Sequence, residues 1–513
     1  MKHKLINSNL RTVSQTGRHL KDAFTAKKQL FSGLFLTRLF LAVMISAFVF
    51  ISATAQIKLP GIIGSNMVLQ QKAMVPIWGW TTPGKTVQIT TSWNVQRAPY
   101  MAKTDNKGYW RVVIQTPGAG GPYAITIDDG QPRKLTNILI GEVWICSGQS
   151  NMEISMKGFT NMPILNANDI LTHASIPELR LYHVPRKLSA DPVISSDAKW
   201  EVSTPGAAAA FSAVGFQFAR MLQQILQVPV GIIESSYGGS TIQAWIDPAT
   251  IKGHKTVAQD NKVALNAPLN RHSPGALYNG MLNPILGFGI KGVLWYQGAS
   301  NWKEPSTYKD YFKTFVAQWR RDWHNDEMPF YYVQIAPYQY HPAADSAPLL
   351  RAAQAAIEKE VPHTGMVVSV DVGERDVIHP ADKTTIAKRL LYWALGDSYQ
   401  LSGIDYRSPT FQTLRVEKDT AFVHFDNARR GLTTYGKAVA SIEIAGTDQV
   451  FYPAESLISP HEKGTLVVFS KKVPRPVAVR YAFHAAAPGN LYNTQGLPVA
   501  PFRTDHWPSR QMP

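Results

Sequence analysis

Three regimes of hydrophobic patterning divide this chain. From Ile57 to about Ile138, short alternating or β-branched runs occupy 73–80, 86–90, 109–114 and 123–127. Turn signals separate them: Pro83-Gly84, Asn106-Lys-Gly108, Pro117-Gly118 and Asp129-Gly130. That spacing predicts a small β-sandwich. Its aromatics (Trp78, Trp80, Trp93, Tyr109, Trp110) are expected mainly as sandwich core, with sugar binding as the alternative. From Leu139 to about Gly396 the pattern becomes strand, loop, helix. Residues 212–226 form an amphipathic stretch with Ser212 as N-cap, and 308–323 and 384–395 also read as helices. Residues 207–210 read as loop, and the polar stretch 247–275 could shape a substrate mouth. Strands alternating with helices predict a parallel sheet covered on both faces. After Leu401 the β pattern returns at 411–416, 420–425, 465–469 and 477–483. The expected fold class is therefore α/β, a three-layer domain over 139–400. A β-sandwich over 56–138 precedes it. A β region over 401–513 follows, packed with that sandwich or standing alone.

The N-terminal 55 residues change the picture of charge. Residues 1–40 hold eight Lys or Arg and one acid, and an apolar run from Leu39 to Ile51 leads to Ala53-Thr-Ala55. This reads as a secretory signal cleaved before Gln56. The rival, an uncleaved anchor, needs an apolar core of roughly 20 residues, and this one is shorter. Without that segment the formal charge falls from +16 to +9. A moderately basic surface suits anionic glycans by steering. No cluster of Arg and Lys with interleaved aromatics marks a nucleic-acid groove, so no nucleic-acid partner is expected. A single cysteine, Cys146, excludes an internal disulfide and, flanked by apolar residues, reads as core. A large, exported, disulfide-free chain fits a periplasm. The 14 histidines show no metal-ligand spacing, so no metal or cofactor is expected. The sequence leaves oligomeric state open.

The candidate chemistry lies in four loops, each following an apolar run. The run Val143-Trp-Ile145 leads to Gly148-Gln-Ser-Asn-Met152, which presents Ser150 in a small-polar turn. A serine needs a base, an orienter for that base and donors for an oxyanion. The buried run 365–370 precedes Asp376-Val-Ile-His379, a spacing at which one turn can bring a carboxylate to Nδ1 and leave Nε2 for the serine proton. The bland alternative is a histidine that only caps a loop. The run 228–233 leads to Glu234-Ser-Ser-Tyr-Gly-Gly-Ser-Thr241, and 289–296 leads to Gln297-Gly-Ala-Ser-Asn301. Glycine N–H groups, or the amide of Gln297 or Asn301, could supply donors; ordinary turns also favour these residues. Four such loops suggest one site at the carboxyl edge of a parallel sheet.

These motifs, in this order, resemble the sialate O-acetylesterase family of the SGNH hydrolases. Ala276-Leu-Tyr-Asn-Gly-Met281 and Asn490-Leu-Tyr-Asn-Thr-Gln-Gly-Leu-Pro498 extend the likeness, which spans roughly 57–506. The resemblance implies an SGNH-type catalytic domain and deacetylation of sugars through an acetyl-serine intermediate, without metal. It implies Ser150 as nucleophile and oxyanion donor through its N–H. It implies Gly239, with Gly238 beside it, as second donor, and Asn301 or Gln297 as third. It implies His379 as base and Asp376 as its orienter. The family's third block usually reads Gln-Gly-Glu-Ser-Asn; here the glutamate is Ala299. Sialic acid is the leading substrate, acetylated xylan or another polysaccharide the runner-up, and a carbohydrate-binding protein with a decayed site the reading from another class.

Overall fold

The computed structural model describes residues 56–94, 98–254, 268–340 and 346–508. The signal segment expected over 1–55, and part of the polar stretch 247–275, lie outside the described residues.

Seven strands open the described chain: β1 (Val68–Gln70), β2 (Met74–Trp80), β3 (Thr86–Thr91), β4 (Tyr100–Lys103), β5 (Tyr109–Gln115), β6 (Gly120–Asp128) and β7 (Arg133–Gly148). β2 pairs antiparallel with β5. β3 pairs with β4 and β6, and β6 pairs with the first half of β7. The apolar faces of the two sheets meet through Val75, Ile77, Trp110 and Ile114 on one side and Val87, Ile89, Ile125 and Ile127 on the other. Alternation of period two accounts for this, since successive side chains point to opposite faces. Trp78 and Trp110 are buried core, as expected, whereas Trp80 and Tyr109 are half-buried and pack on each other at 5.8 Å.

The boundary expected between 138 and 139 falls inside β7. This strand has 16 residues and runs unbroken from the first sheet into the centre of the second. There it is joined by β8 (Ile176–His183), β9 (Trp200–Ser203), β10 (Val230–Ser236), β11 (Gly292–Tyr296), β12 (Phe330–Val333) and β13 (Thr364–Val367). The order is β13-β12-β11-β7-β10-β8-β9, parallel except for the edge strand β9. Residues alternate between two cores: Val143, Ile145, Val293 and Trp295 face one, and Trp144, Cys146, Leu294 and Tyr296 the other. Such strands read as continuous apolar runs because neither face meets water. Cys146 is core: a methyl added at Gly215 would fall 2.5 Å from its Sγ.

Helices cover both faces. Six matter here: α1 (Ser150–Glu153), α2 (Pro205–Ala210), α3 (Ala213–Leu226), α4 (Pro305–Trp323), α5 (Ser346–Glu360) and α6 (Lys383–Trp393). Ser212 caps α3, its Oγ accepting the Gly215 N–H at 3.0 Å. The stretch 207–210 is helix rather than the expected loop. Thr204 caps it and Pro205 occupies its first turn, a starting signal that outweighs the small-residue composition. α4 and α5 send Phe312, Phe315 and Leu350 into one core, and α3 and α6 send Phe218, Leu222, Ile386 and Leu390 into the other.

The C-terminal region forms two four-stranded antiparallel sheets and a two-stranded ribbon. It docks on the three-layer α/β region. The buried guanidinium of Arg351 on α5 donates to the carbonyls of Ala482, His484 and Ala485, and the Gly489 N–H donates to Val370 O at 3.2 Å.

Candidate active site

Register explains why the loops converge. On β10, Ser236 pairs with Gly148, and on β11 Tyr296 pairs with the same Gly148. Three neighbouring strands therefore end at one level. Gly148 has φ +139°, and a Cβ there would lie 2.3 Å from Tyr296 O, so only glycine lets the chain turn this tightly off β7. The turn is pinned to both flanking strands: the Gln149 N–H donates to Tyr296 O and the Tyr237 N–H to Gly148 O, each at 3.0 Å. The buried Gln149 Oε1 also accepts the N–H groups of Gly298 and Ser300 at 3.1 and 3.2 Å. The turn thus carries the glutamine as a brace toward the third loop.

The fourth loop leaves β13, three strands from β7, and must reach back across the sheet edge. Both its ends are clamped to α6. Arg389 grips Asp371 with two hydrogen bonds of 2.8 and 2.6 Å, and both side chains are largely buried. Asp382 caps α6 through the Thr385 N–H at 2.9 Å. Between these anchors His379 is delivered to the turn that carries Ser150, and its Nε2 lies 2.7 Å from Ser150 Oγ. With Nε2 accepting the serine hydroxyl, the imidazole proton sits on Nδ1.

The environment of Nδ1 departs from the sequence expectation. Its neighbour is Met162 Sδ at 2.8 Å, and the Phe159 ring stands edge-on to the imidazole at 5.8 Å. Asp376 is not there. Its side chain is 85% exposed, 3.9 Å from Arg375, and has no bond to His379. The Asp-x-x-His spacing permits a turn that pairs the two, but the bridge between Glu374 and Val377 directs Asp376 outward instead. Burial, helped by the neighbouring ammonium of Lys383, pushes the His379 imidazole down to about 4. The site therefore holds a serine–histidine dyad with a thioether, a weak acceptor, at the second ring nitrogen.

The donors expected at an oxyanion also sort themselves. The Gly238 N–H is taken by Glu153 Oε2 at 2.8 Å. Gly239, at φ +73°, has an N–H without a protein partner among the described residues, as does Ser150 at the first position of α1. A methyl added at Gly238 would stand 3.5 Å from Ser150 Cβ, so the second loop lies directly against Ser150. The amides of Asn301 and Gln297 are both committed elsewhere. Asn301 Nδ2 donates to Gln243 and Glu304 at 2.9 and 3.2 Å, and Gln297 Nε2 donates to Ser240 O and Asn301 Oδ1 at 3.1 and 2.8 Å. They knit the second and third loops together instead of aiming a donor at Ser150. Ala299 is buried and borders a small cavity with Asn151 and Tyr296.

Three side chains absent from the sequence-level list belong to this site. Asn151, next to Ser150, donates from Nδ2 to Ile378 O at 2.9 Å. The buried Lys383 donates to Asn151 Oδ1 at 2.6 Å. Glu153 is held by Arg186, whose guanidinium lies 5.2 Å from the Tyr237 ring centre. Asn151 stood in the Gly148–Met152 motif itself, and Glu153 directly follows it. Lys383 was marked only by its place four residues after His379. Among the described residues no group of three or more acidic, His or Cys side chains could hold a metal ion, and no helix is long and apolar enough to cross a membrane.

Comparison with known proteins shows the family. Residues 140–391 match the family model for carbohydrate esterases described as sialic acid-specific acetylesterases. The chain is 29% identical over 383 residues to the sialate O-acetylesterase of Homo sapiens, covering 68% of this chain and 72% of that protein. Against the Pongo abelii sialate O-acetylesterase the identity is 30% over 389 residues, with the same shares covered. A crystal structure of a carbohydrate acetylesterase from Xanthomonas citri superposes with a TM-score of 0.79 at 32% identity, over 88% of this chain and all of the other. The chain is a carboxylic ester hydrolase and belongs to the sialate O-acetylesterase family of carbohydrate esterases.

Proposed function

We propose that this protein is exported and removes acetyl groups from O-acetylated sialic acids through an acetyl-Ser150 intermediate. The 2.7 Å contact between Ser150 Oγ and His379 Nε2 at the carboxyl edge of the parallel sheet carries the reading. Ser150 Oγ attacks the acetyl carbonyl while His379 Nε2 takes its proton. The carbonyl oxygen, now an anion, is stabilised by the N–H groups of Ser150 and Gly239. His379 returns the proton to the departing sugar oxygen. Water, deprotonated by the same nitrogen, then attacks the acetyl-serine, and acetate leaves as Ser150 recovers its proton. A half-buried imidazole without a carboxylate partner, pushed down to about 4, is neutral and available as base at neutral pH.

An acidic sugar calls for a cation beside the nucleophile. Three cations lie near the motif loops in the sequence, Lys157, Arg271 and Lys303; of these Arg271 is the best placed, since a methyl added at Gly239 would fall 2.8 Å from its Nε and the residue is exposed. Lys303 instead lies 5.5 Å from the Trp302 ring centre. The test is acetate release from O-acetylated sialosides and from acetylated xylan by the wild type and by Ser150→Ala, with mass spectrometry of the diisopropyl-fluorophosphate adduct. The expected results are an inert, folded Ser150→Ala protein, an adduct on Ser150 in the wild type and preference for the sialoside. Equal efficiency on acetylated xylose units would move the substrate to neutral polysaccharide. Absence of turnover on any ester would leave a carbohydrate-binding protein.

A further inference from the structure

Lys383 is an unusual residue to find where it is. It is fully buried, at the first position of α6. Lysine is rarely buried without a carboxylate, and no ion pair is found for it among the described residues. A cation is also misplaced at a helix N-terminus, where the macrodipole favours negative charge. Its surroundings are Asn151 Oδ1 at 2.6 Å and the Tyr296 ring, whose centre is 5.7 Å from Nζ. The charged groups that bear on it, Asp382 and Glu374, lie on the loop it terminates, together with the titratable His379. Burial pushes the ammonium down to about 7. A residue that opposes both burial and the helix dipole calls for a compensating role.

The bonding pattern supplies one. An amide has one acceptor and two donors, and which end points where depends on its partners. Asn151 Nδ2 holds Ile378 O at 2.9 Å, which leaves Oδ1 facing the protein interior, where among the described residues only Lys383 meets it. Asn151 follows Ser150 and Ile378 precedes His379. The contacts therefore close a ring: Ser150, Asn151, the Ile378 carbonyl, His379 and back to Ser150 Oγ at 2.7 Å. We propose that Lys383 is a positioning residue that fixes the Asn151 amide and so holds the histidine loop at hydrogen-bond distance from the nucleophile. No carboxylate orients the imidazole here, so this ring does the work that an orienting acid performs elsewhere. The proposal rests on the reading of Ser150 and His379 as nucleophile and base.

Lys383→Met tests it, because methionine keeps the length and apolar stem while removing the donor and the charge. On 4-nitrophenyl acetate, kcat is expected to fall tenfold or more, about what a displacement of the base by under 1 Å produces, with KM changed less than threefold. The thermal midpoint should not fall, since a buried cation has been removed. The acid limb of kcat/KM should move upward in pH, because the charge opposing imidazolium formation is gone. Asn151→Asp breaks the ring at its other link while keeping the contact to Lys383. It should show the same loss in kcat and the same direction of the acid limb, and it serves where Lys383→Met does not fold. A kcat within twofold of wild type in either folded variant overturns the proposal, as does a loss that merely follows the folded fraction. A wild type that neither turns over the ester nor labels at Ser150 overturns the underlying reading of the dyad instead.

Discussion

The sharpest consequence of the site geometry concerns Asp376. A triad and a dyad differ by the fate of one substitution, Asp376→Asn. Where a buried aspartate holds the imidazole tautomer, its change to asparagine costs about 10⁴-fold in kcat. Here the Asp376 side chain is 85% exposed, its near neighbour is Arg375 at 3.9 Å, and Nδ1 faces Met162 instead. An exposed, solvated charge of this kind changes the rate by about twofold at most. The two readings are thus separated by more than three orders of magnitude, well beyond assay error. The measurement is kcat/KM on 4-nitrophenyl acetate from pH 4 to 9 for the wild type and Asp376→Asn. Both proteins are expected to be near their plateau by neutral pH, with an acid limb near 4, where burial and Lys383 place the imidazole. A carboxylate at Nδ1 would favour imidazolium and push that limb above the ordinary histidine range. A loss beyond a hundredfold in Asp376→Asn, or an acid limb above 6.5 in the wild type, would refute the dyad.

Other expectations follow from single environments. Burial raises the Glu234 carboxyl to about 8, so at neutral pH it faces His183 at 3.1 Å as a neutral acid. Because the folded pKa lies above the unfolded 4.5, this stabilisation is complete below about 4.5 and is lost as pH rises through about 8. Glu234→Gln should therefore gain stability over wild type between pH 5 and 9, on the order of 3–5 kcal/mol at the alkaline end, read from urea midpoints. Gly148→Ala should destabilise by about 3 kcal/mol or more and abolish activity, since φ +139° and the Tyr296 carbonyl both exclude a Cβ. Asp371→Asn should cost about 3–5 kcal/mol, because it leaves the buried Arg389 without its counter-charge, and should raise the proteolytic sensitivity of the 371–382 loop. Arg271→Ala should raise KM severalfold for an acetylated sialoside and leave an uncharged aryl acetate unaffected; equal effects on both would remove Arg271 from substrate reading.

Much of the architecture was legible because periodicity reports burial directly. The two-faced apolar runs at 143–145 and 289–296 became central strands, and Ser212 capped the helix expected of it. The pairing of Ser150 with His379 was legible as two motifs after strand ends, which a parallel sheet must bring to one edge. What escaped was orientation. A three-residue spacing states that Asp376 can reach His379, not that it turns inward, and an outward turn leaves the same letters. Asn301 and Gln297 were legible as amides near the site, but which partner takes each N–H depends on Gln243 and Ser240, brought in from the neighbouring loop, and on Glu304 just ahead of α4. Lys383 was illegible for a related reason: a lysine after a capping aspartate reads as a solvated helix start, and only packing reveals that its head is enclosed.

The unbroken course of β7 has a consequence for how the molecule comes apart. Its first half is sewn to β6 and its second half to β10 and β11, so one backbone segment belongs to both hydrogen-bonded ladders. The N-terminal β layer therefore cannot melt as an independent module without fraying the strand that ends at Gly148. Calorimetry should show one endotherm for the two regions instead of two. Amide protons along 133–148 should exchange only through the global opening, and deleting the β layer to make a minimal enzyme should unseat the nucleophile.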